Sequence, residues 1–149
     1  MSRSLLVLLG FAGLIPFIGL AAASWGLAPS THALWVQAVE IYAAVILSFL
    51  GGVHWGVAIA KAGASEYKRL LWGVSPALMA WAIVLIPWPV VSLTLLILLL
   101  LLSWKVDRAT LVAVDSASVY LGLRTPLTMV ASLSLLVVLA SFIRVGVLS

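Results

Sequence analysis

The strongest constraint on this chain is a series of apolar runs too long and too continuous for a water-soluble fold. Five can be drawn, from Ser4 to Ala23, Ala33 to Ala60, Leu70 to Ile86, Val90 to Trp104 and Thr125 to Gly146. A helix rises about 1.5 Å per residue, so about 20 residues cross a hydrocarbon layer roughly 30 Å thick. The runs do not alternate with period two, which argues against a membrane barrel. Composition agrees: 65% of the 149 residues are hydrophobic and 8% are charged, against about 25% charged in soluble domains. The expected fold is all-α, a polytopic membrane helical bundle of five transmembrane helices forming one domain. Pro87-Trp88-Pro89 removes two backbone donors between the third and fourth runs, so a tight helical hairpin is expected there. Cysteine is absent, which excludes disulfides and thiolate metal sites.

The basic residues set a direction. With the N-terminus in the cytoplasm and the C-terminus in the periplasm, Arg3, Lys61, Lys68, Arg69, Lys105, Arg108 and Arg124 fall on the inner side. Arg144 alone falls outside. An excess of Lys and Arg on the cytoplasmic side is what correctly inserted proteins carry. The sequence pI of about 10.0 thus reflects topology and contact with anionic lipid at the cytoplasmic leaflet, and no nucleic-acid partner is expected. Arg3, an apolar run and Ala21-Ala22-Ala23-Ser24 have the outline of a secretory signal. The run is long for that, and Gly10, Gly13, Pro16 and Gly19 suit a packed helix, so an uncleaved first span is expected. Pro16 also marks a kink, as does Pro76 after Ser75. Trp25, Trp35, Trp72, Trp88 and Trp104 fall at span ends, where an apolar ring with a polar N–H suits the headgroup boundary. The connection from Lys105 to Arg124 mixes apolar and charged residues and reads as an interfacial amphipathic helix.

The second run is the most informative. Ala44, Ser48, Gly52, Gly56 and Ala60 recur every four residues, a ridge that lets helix backbones approach closely in lipid. It is expected to pack on another helix of the chain or, failing that, on a second copy in a homodimer. At 100° per residue, Gly51 lies about 20° from Glu40, His54 about 40° to the other side and Gln37 about 60° away. A polar face therefore stands opposite the small-residue ridge. Glu40 is the only acid within the five runs, and a carboxylate there is costly unless paired, hydrated or neutralised. An interfacial Glu near Trp35 is the plain alternative. His54 can relay a proton or hold a cation; the plain alternative is a bond to a carbonyl left open by the neighbouring glycines. The two are about 21 Å apart along the axis and cannot share a metal ion. They can form two stations of one ion or proton path, with Ser48 between them and Gln37 a turn before Glu40. A loose outer metal site from His32 and Glu40 is a weaker option. Asp107, Arg108, Tyr120 and Arg124 are expected as inner-interface polar groups, pairing with each other rather than gripping lipid phosphates.

The run from Tyr42 to Gly56, YAAVILSFLGGVHWG, resembles the signature of domain-of-unknown-function family 3429. Leu71-Trp72, Ser75-Pro76-Ala77, Trp81, Asp107-Arg108 and Arg124-Thr-Pro-Leu-Thr128 follow in the matching order. The resemblance implies a compact multi-span protein of a bacterial cytoplasmic membrane, in a family that also has a mitochondrial relative. It brings no biochemical activity with it. It points to Ser48, Gly51, Gly52, His54 and Trp55 as the signature block.

Two functions compete. A proton or small-cation path would give Glu40 and His54 a shared purpose and would serve electrochemical homeostasis of the envelope. A non-catalytic scaffold or assembly factor would instead use the small-residue ridge and the basic inner loops. An enzyme is not expected, since HExxH, GxSxG and Walker-type loops are missing and the chain has only four acids. No cofactor is expected.

Overall fold

Proline and glycine decide where the helices of this protein begin and break. The structure is a computed structural model that describes residues 3–26, 29–61, 67–112, 114 and 117–148. Six helices follow one another: α1 (Arg3–Ala12), α2 (Ile15–Gly26), α3 (His32–Lys61), α4 (Tyr67–Val84), α5 (Pro89–Leu111) and α6 (Ser118–Leu148). A single 3-10 turn, Pro29–Thr31, leads into α3, and no strand occurs among the described residues. Pro16 has no N–H to continue a helix, and the first apolar run breaks just before it, at Gly13 and Leu14. The Tyr42 hydroxyl donates to the Gly13 carbonyl across that break at 2.8 Å. The Phe17 ring meets Tyr42 edge-on at 5.0 Å between centroids. At the other punctuated point, Trp88 is extended and Pro89 opens α5, where its missing donor costs nothing. α4 runs on through Pro76, with the Ser75 hydroxyl donating to the Leu71 carbonyl.

Among the described residues four segments are long and apolar enough to cross a membrane: Ser4–Gly26, His32–Ala60, Pro89–Leu111 and Ser118–Val145. The chain is thus an all-α, multi-pass membrane protein. α4 has 18 residues, and its first turn carries Lys68 and Arg69. Polar contacts fix how the helices run. Glu40 near the start of α3 meets Ser92 near the start of α5, and His54 later in α3 meets Asp107 late in α5. α3 and α5 are therefore parallel, and α4 carries the chain back between them. α6 opposes α3, because His32 at the start of α3 meets Ser141 near the end of α6.

The core is aliphatic. Phe17, Val39, Leu47, Leu93, Leu96 and Leu135 are buried where α2, α3, α5 and α6 meet. The closest backbone approach is between α3 and α4: a Cβ on Gly51 would stand 2.1 Å from the Gly73 carbonyl oxygen. Trp55 lies over Gly73 and donates its indole N–H to the Leu70 carbonyl at 2.9 Å.

Two sequence expectations are corrected here. Among its described residues the segment from Lys105 to Arg124 forms no separate interfacial helix. α5 continues to Leu111 and α6 begins at Ser118, so most of the segment belongs to two spans. Leu111, Val114 and Ala117 bury themselves against Val53, Val57, Tyr120 and Leu121 and hold the turn inward. Most of the small-residue ridge also meets no other helix among the described residues, Ala44 alone packing against the core. Ser48, Gly52, Gly56 and Ala60 are exposed, Ala44 is half-buried, and a Cβ on Gly52 or Gly56 would meet nothing within 4 Å. Gly51, one position from that ridge, is the residue at the tight crossing. α3 consequently shows one face to its neighbours and the other to the outside of the bundle.

Candidate functional site

The C-terminal half of α3 builds the densest polar cluster among the described residues. His54 is 1% exposed, and its Nε2 lies 2.8 Å from Asp107 Oδ1, with Asp107 also 1% exposed. The second carboxylate oxygen, Oδ2, accepts from the Tyr120 hydroxyl at 2.8 Å and from Arg124 Nε at 2.6 Å. Arg124 is 3% exposed, and its Nη1 donates to the Thr128 hydroxyl. One carboxylate thereby ties α3, α5 and α6 together. A carboxylate and a guanidinium taken out of water are tolerable only when paired and otherwise bonded; both carboxylate oxygens are so held here, as are Nε and Nη1 of Arg124. Around the cluster, Arg108 donates to the Thr125 hydroxyl at 3.0 Å and lies over the Trp104 ring at 5.7 Å.

The N-terminal half of α3 holds a simpler pair. Glu40 is 7% exposed, and its Oε1 accepts from the Ser92 hydroxyl. Ser92 also reaches the Trp88 and Pro89 carbonyls at 3.3 Å, which places the pair beside the α4–α5 turn. Glu40 is thus buried between helices rather than lying at an exposed interface. Between the two pairs the interior is filled by Leu47, Leu93, Leu96 and Leu100.

The sequence-expected residues divide clearly. Glu40 and His54 both face inward. Ser48 is exposed and donates to the Ala44 carbonyl in its own helix at 2.8 Å, so it does not stand between them. Gln37 is exposed as well. His32 bonds Ser141 at 3.1 Å and is not joined to Glu40. Among the described residues no three His, Cys, Asp or Glu side chains gather in a way that could hold a metal ion. Asp107 and Arg124 do bond each other, whereas Arg108 turns to Thr125 and Trp104 instead. Sequence reasoning missed the union of His54 with Asp107, because the fourth run was ended at Trp104 and Asp107 was placed in an interfacial connection. α5 continues through it, so Glu40 is not the only acid within a span. Tyr120 pairs with Asp107 as the reading of these interface groups expected, whereas Thr128 was missed as a partner. The available signal was that His54 and Asp107 fall near the C-terminal ends of their helices and Tyr120 and Arg124 near the N-terminal start of theirs, which is one end of the bundle. Ser103, one turn before Asp107, and Ser132 are further buried hydroxyls, neither with a hydrogen-bond partner among the described residues.

Comparison with known proteins adds a family. Over 130 residues the chain is 35% identical to Transmembrane protein 69 of Xenopus tropicalis, a match that covers 85% of this chain and 50% of that protein. The chain spans about half the length of that curated relative. No solved structure is detectably similar. Residues 2–140 match the family described as Protein of unknown function (DUF3429). The run with Gly51 and His54, together with Asp107 and Arg124, lies inside that match, and the chain belongs to the DUF3429 family.

Proposed function

We propose that this protein handles protons or small cations in a bacterial cytoplasmic membrane, with His54 and Asp107 as its central exchanging groups. The observation that carries the reading is the fully buried His54–Asp107 contact, 2.8 Å long and within two membrane-crossing segments. Ionisable groups at such depth are costly, and they mark ion and proton pathways by default. A histidine facing a carboxylate can pass a proton between ring nitrogen and oxygen without moving heavy atoms far. Glu40 and Ser92 form the outer station of the same route. The leucine layer between the stations makes this an occluded state that has to open for conduction. The role is non-enzymatic, and contributes to electrochemical homeostasis of the envelope.

The parallel course of α3 and α5 supports five crossings, with α4 as the third. About 18 residues rise about 27 Å, close to the hydrocarbon thickness. With the N-terminus inside and the C-terminus outside, Lys68, Arg69, Lys105 and Arg108 meet anionic lipid at the cytoplasmic leaflet.

The test is proton and cation flux in proteoliposomes under an imposed potential and a pH gradient. Flux above empty liposomes that is lost in His54→Gln and Asp107→Asn, with the fold retained, is the expected result. Undiminished flux in both variants would end the reading. A second reading, a scaffold that works by helix association, is favoured by the outward ridge of Ser48, Gly52, Gly56 and Ala60. It predicts that Gly52→Leu disrupts a homodimer or a hetero-complex and that no flux is seen with the native chain.

A further inference from the structure

Beside the polar cluster lies a cavity of about 470 Å³ that the proton reading does not use. Its walls come from α1, the start of α2, α3 and α6, with Leu100 from α5. They are almost wholly apolar, and Tyr120, Arg124 and Thr128 are the polar side chains on them. Leu9 on α1 and Phe49 on α3 also line it and are 61% and 68% exposed at the outer surface of the bundle. The cavity is not sealed, and these two residues put its mouth in the hydrocarbon between α1 and α3.

The second observation concerns Arg124. Its Nε is taken by Asp107 and its Nη1 by Thr128, while Nη2 is buried with no hydrogen-bond partner among the described residues. A buried guanidinium N–H left without an acceptor is unfavourable. An apolar cavity supplies few of the two to four polar partners that an ordered water requires. A volume of about 470 Å³ falls in the range of about 300–1,000 Å³ that small-molecule sites occupy.

We infer that this cavity binds an isoprenoid quinone, a lipid whose neutral ring carbonyl accepts from Arg124 Nη2 while its chain leaves between α1 and α3. Charge selects the head. Asp107 already neutralises Arg124, so a second anion would face the carboxylate, whereas a neutral carbonyl completes the guanidinium at no charge cost. The same reasoning disfavours a phospholipid, whose phosphate would have to follow its ester carbonyl toward Asp107. The binding inference stands apart from the proton reading, since it needs neither a gradient nor flux.

The experiment is binding to the full chain in nanodiscs, read by quenching of tryptophan fluorescence and by native mass spectrometry. The probes are decylubiquinone, decylbenzene as a chain without carbonyls, and dioleoylglycerol as an ester lipid. Saturable binding of decylubiquinone, at least tenfold tighter than either control, is the expected result. Gly10→Phe fills the cavity from α1, where an added Cβ meets only the tips of Leu127 and Leu123, and it leaves the polar cluster untouched. It should weaken decylubiquinone at least tenfold. Arg124→Gln should remove the preference for decylubiquinone over decylbenzene. Equal binding of all three probes, or affinity unchanged in Gly10→Phe, would overturn the inference even if Arg124→Gln failed to fold.

Discussion

The two ends of α3 solve the same problem differently. At the N-terminal end a single carboxyl, Glu40, is met by a single hydroxyl from Ser92. At the C-terminal end the carboxylate of Asp107 is met by a ring nitrogen, a phenol and a guanidinium from two other helices. The Glu40 pair joins two helices and has no counter-charge among its described partners. The Asp107 cluster joins three and pairs its carboxylate with a guanidinium. The difference is one between a local contact and a junction on which the arrangement of the bundle depends. Removing a group from each end should therefore have unequal consequences, and the inequality is measurable.

The largest effect is expected for Asp107→Ala, which strands Arg124 in a buried site. Breaking a buried pair from one side costs about 3–5 kcal/mol, read as loss of thermal stability in detergent; a smaller loss than that of Glu40→Gln would reverse the comparison. Next comes Gly51→Leu at the crossing of α3 on α4. The Gly73 backbone stands where the new side chain must go, and overpacking costs about 1–3 kcal/mol. Gly52→Leu, one residue away on the open face, should leave monomer stability within about 0.5 kcal/mol, which makes it a control for both helix propensity and size. Tyr120→Phe deletes one bond to a carboxylate that keeps its other partners, and about 1.5 kcal/mol is expected from equilibrium unfolding. The smallest change is assigned to Ser92→Ala, near the average of about 0.6 kcal/mol for polar contacts between membrane helices. If Ser92→Ala equals Tyr120→Phe, the two ends of α3 are energetically alike and the distinction fails.

The sequence showed the helical runs and the hinge at Pro87-Trp88-Pro89, because length and continuity of apolar residues report directly on spans. It also singled out Glu40 and His54. It could not tell which face of α3 turns inward. Lipid tails are as apolar as a leucine core, so a ridge such as Ala44, Gly52 and Gly56 looks the same whether it meets a helix or the bilayer. Gly51 became decisive only through Gly73, which lies in a different run. The end of α5 was misjudged for a related reason. Trp104 suits a membrane boundary, yet its indole N–H donates to Thr125 at 3.0 Å, and the helix passes it by seven residues to Leu111. A tryptophan marks the interface only when nothing inside the protein takes its hydrogen.

The parallel course of α3 and α5 also has a consequence for the order in which the chain is made. His54 emerges 53 residues before Asp107, and Arg124 follows 17 residues later still. Once Asp107 has been made, the acid and the histidine precede the guanidinium that balances them. The cluster can close only when the last helix is present, so its three helices come together after the chain is nearly complete.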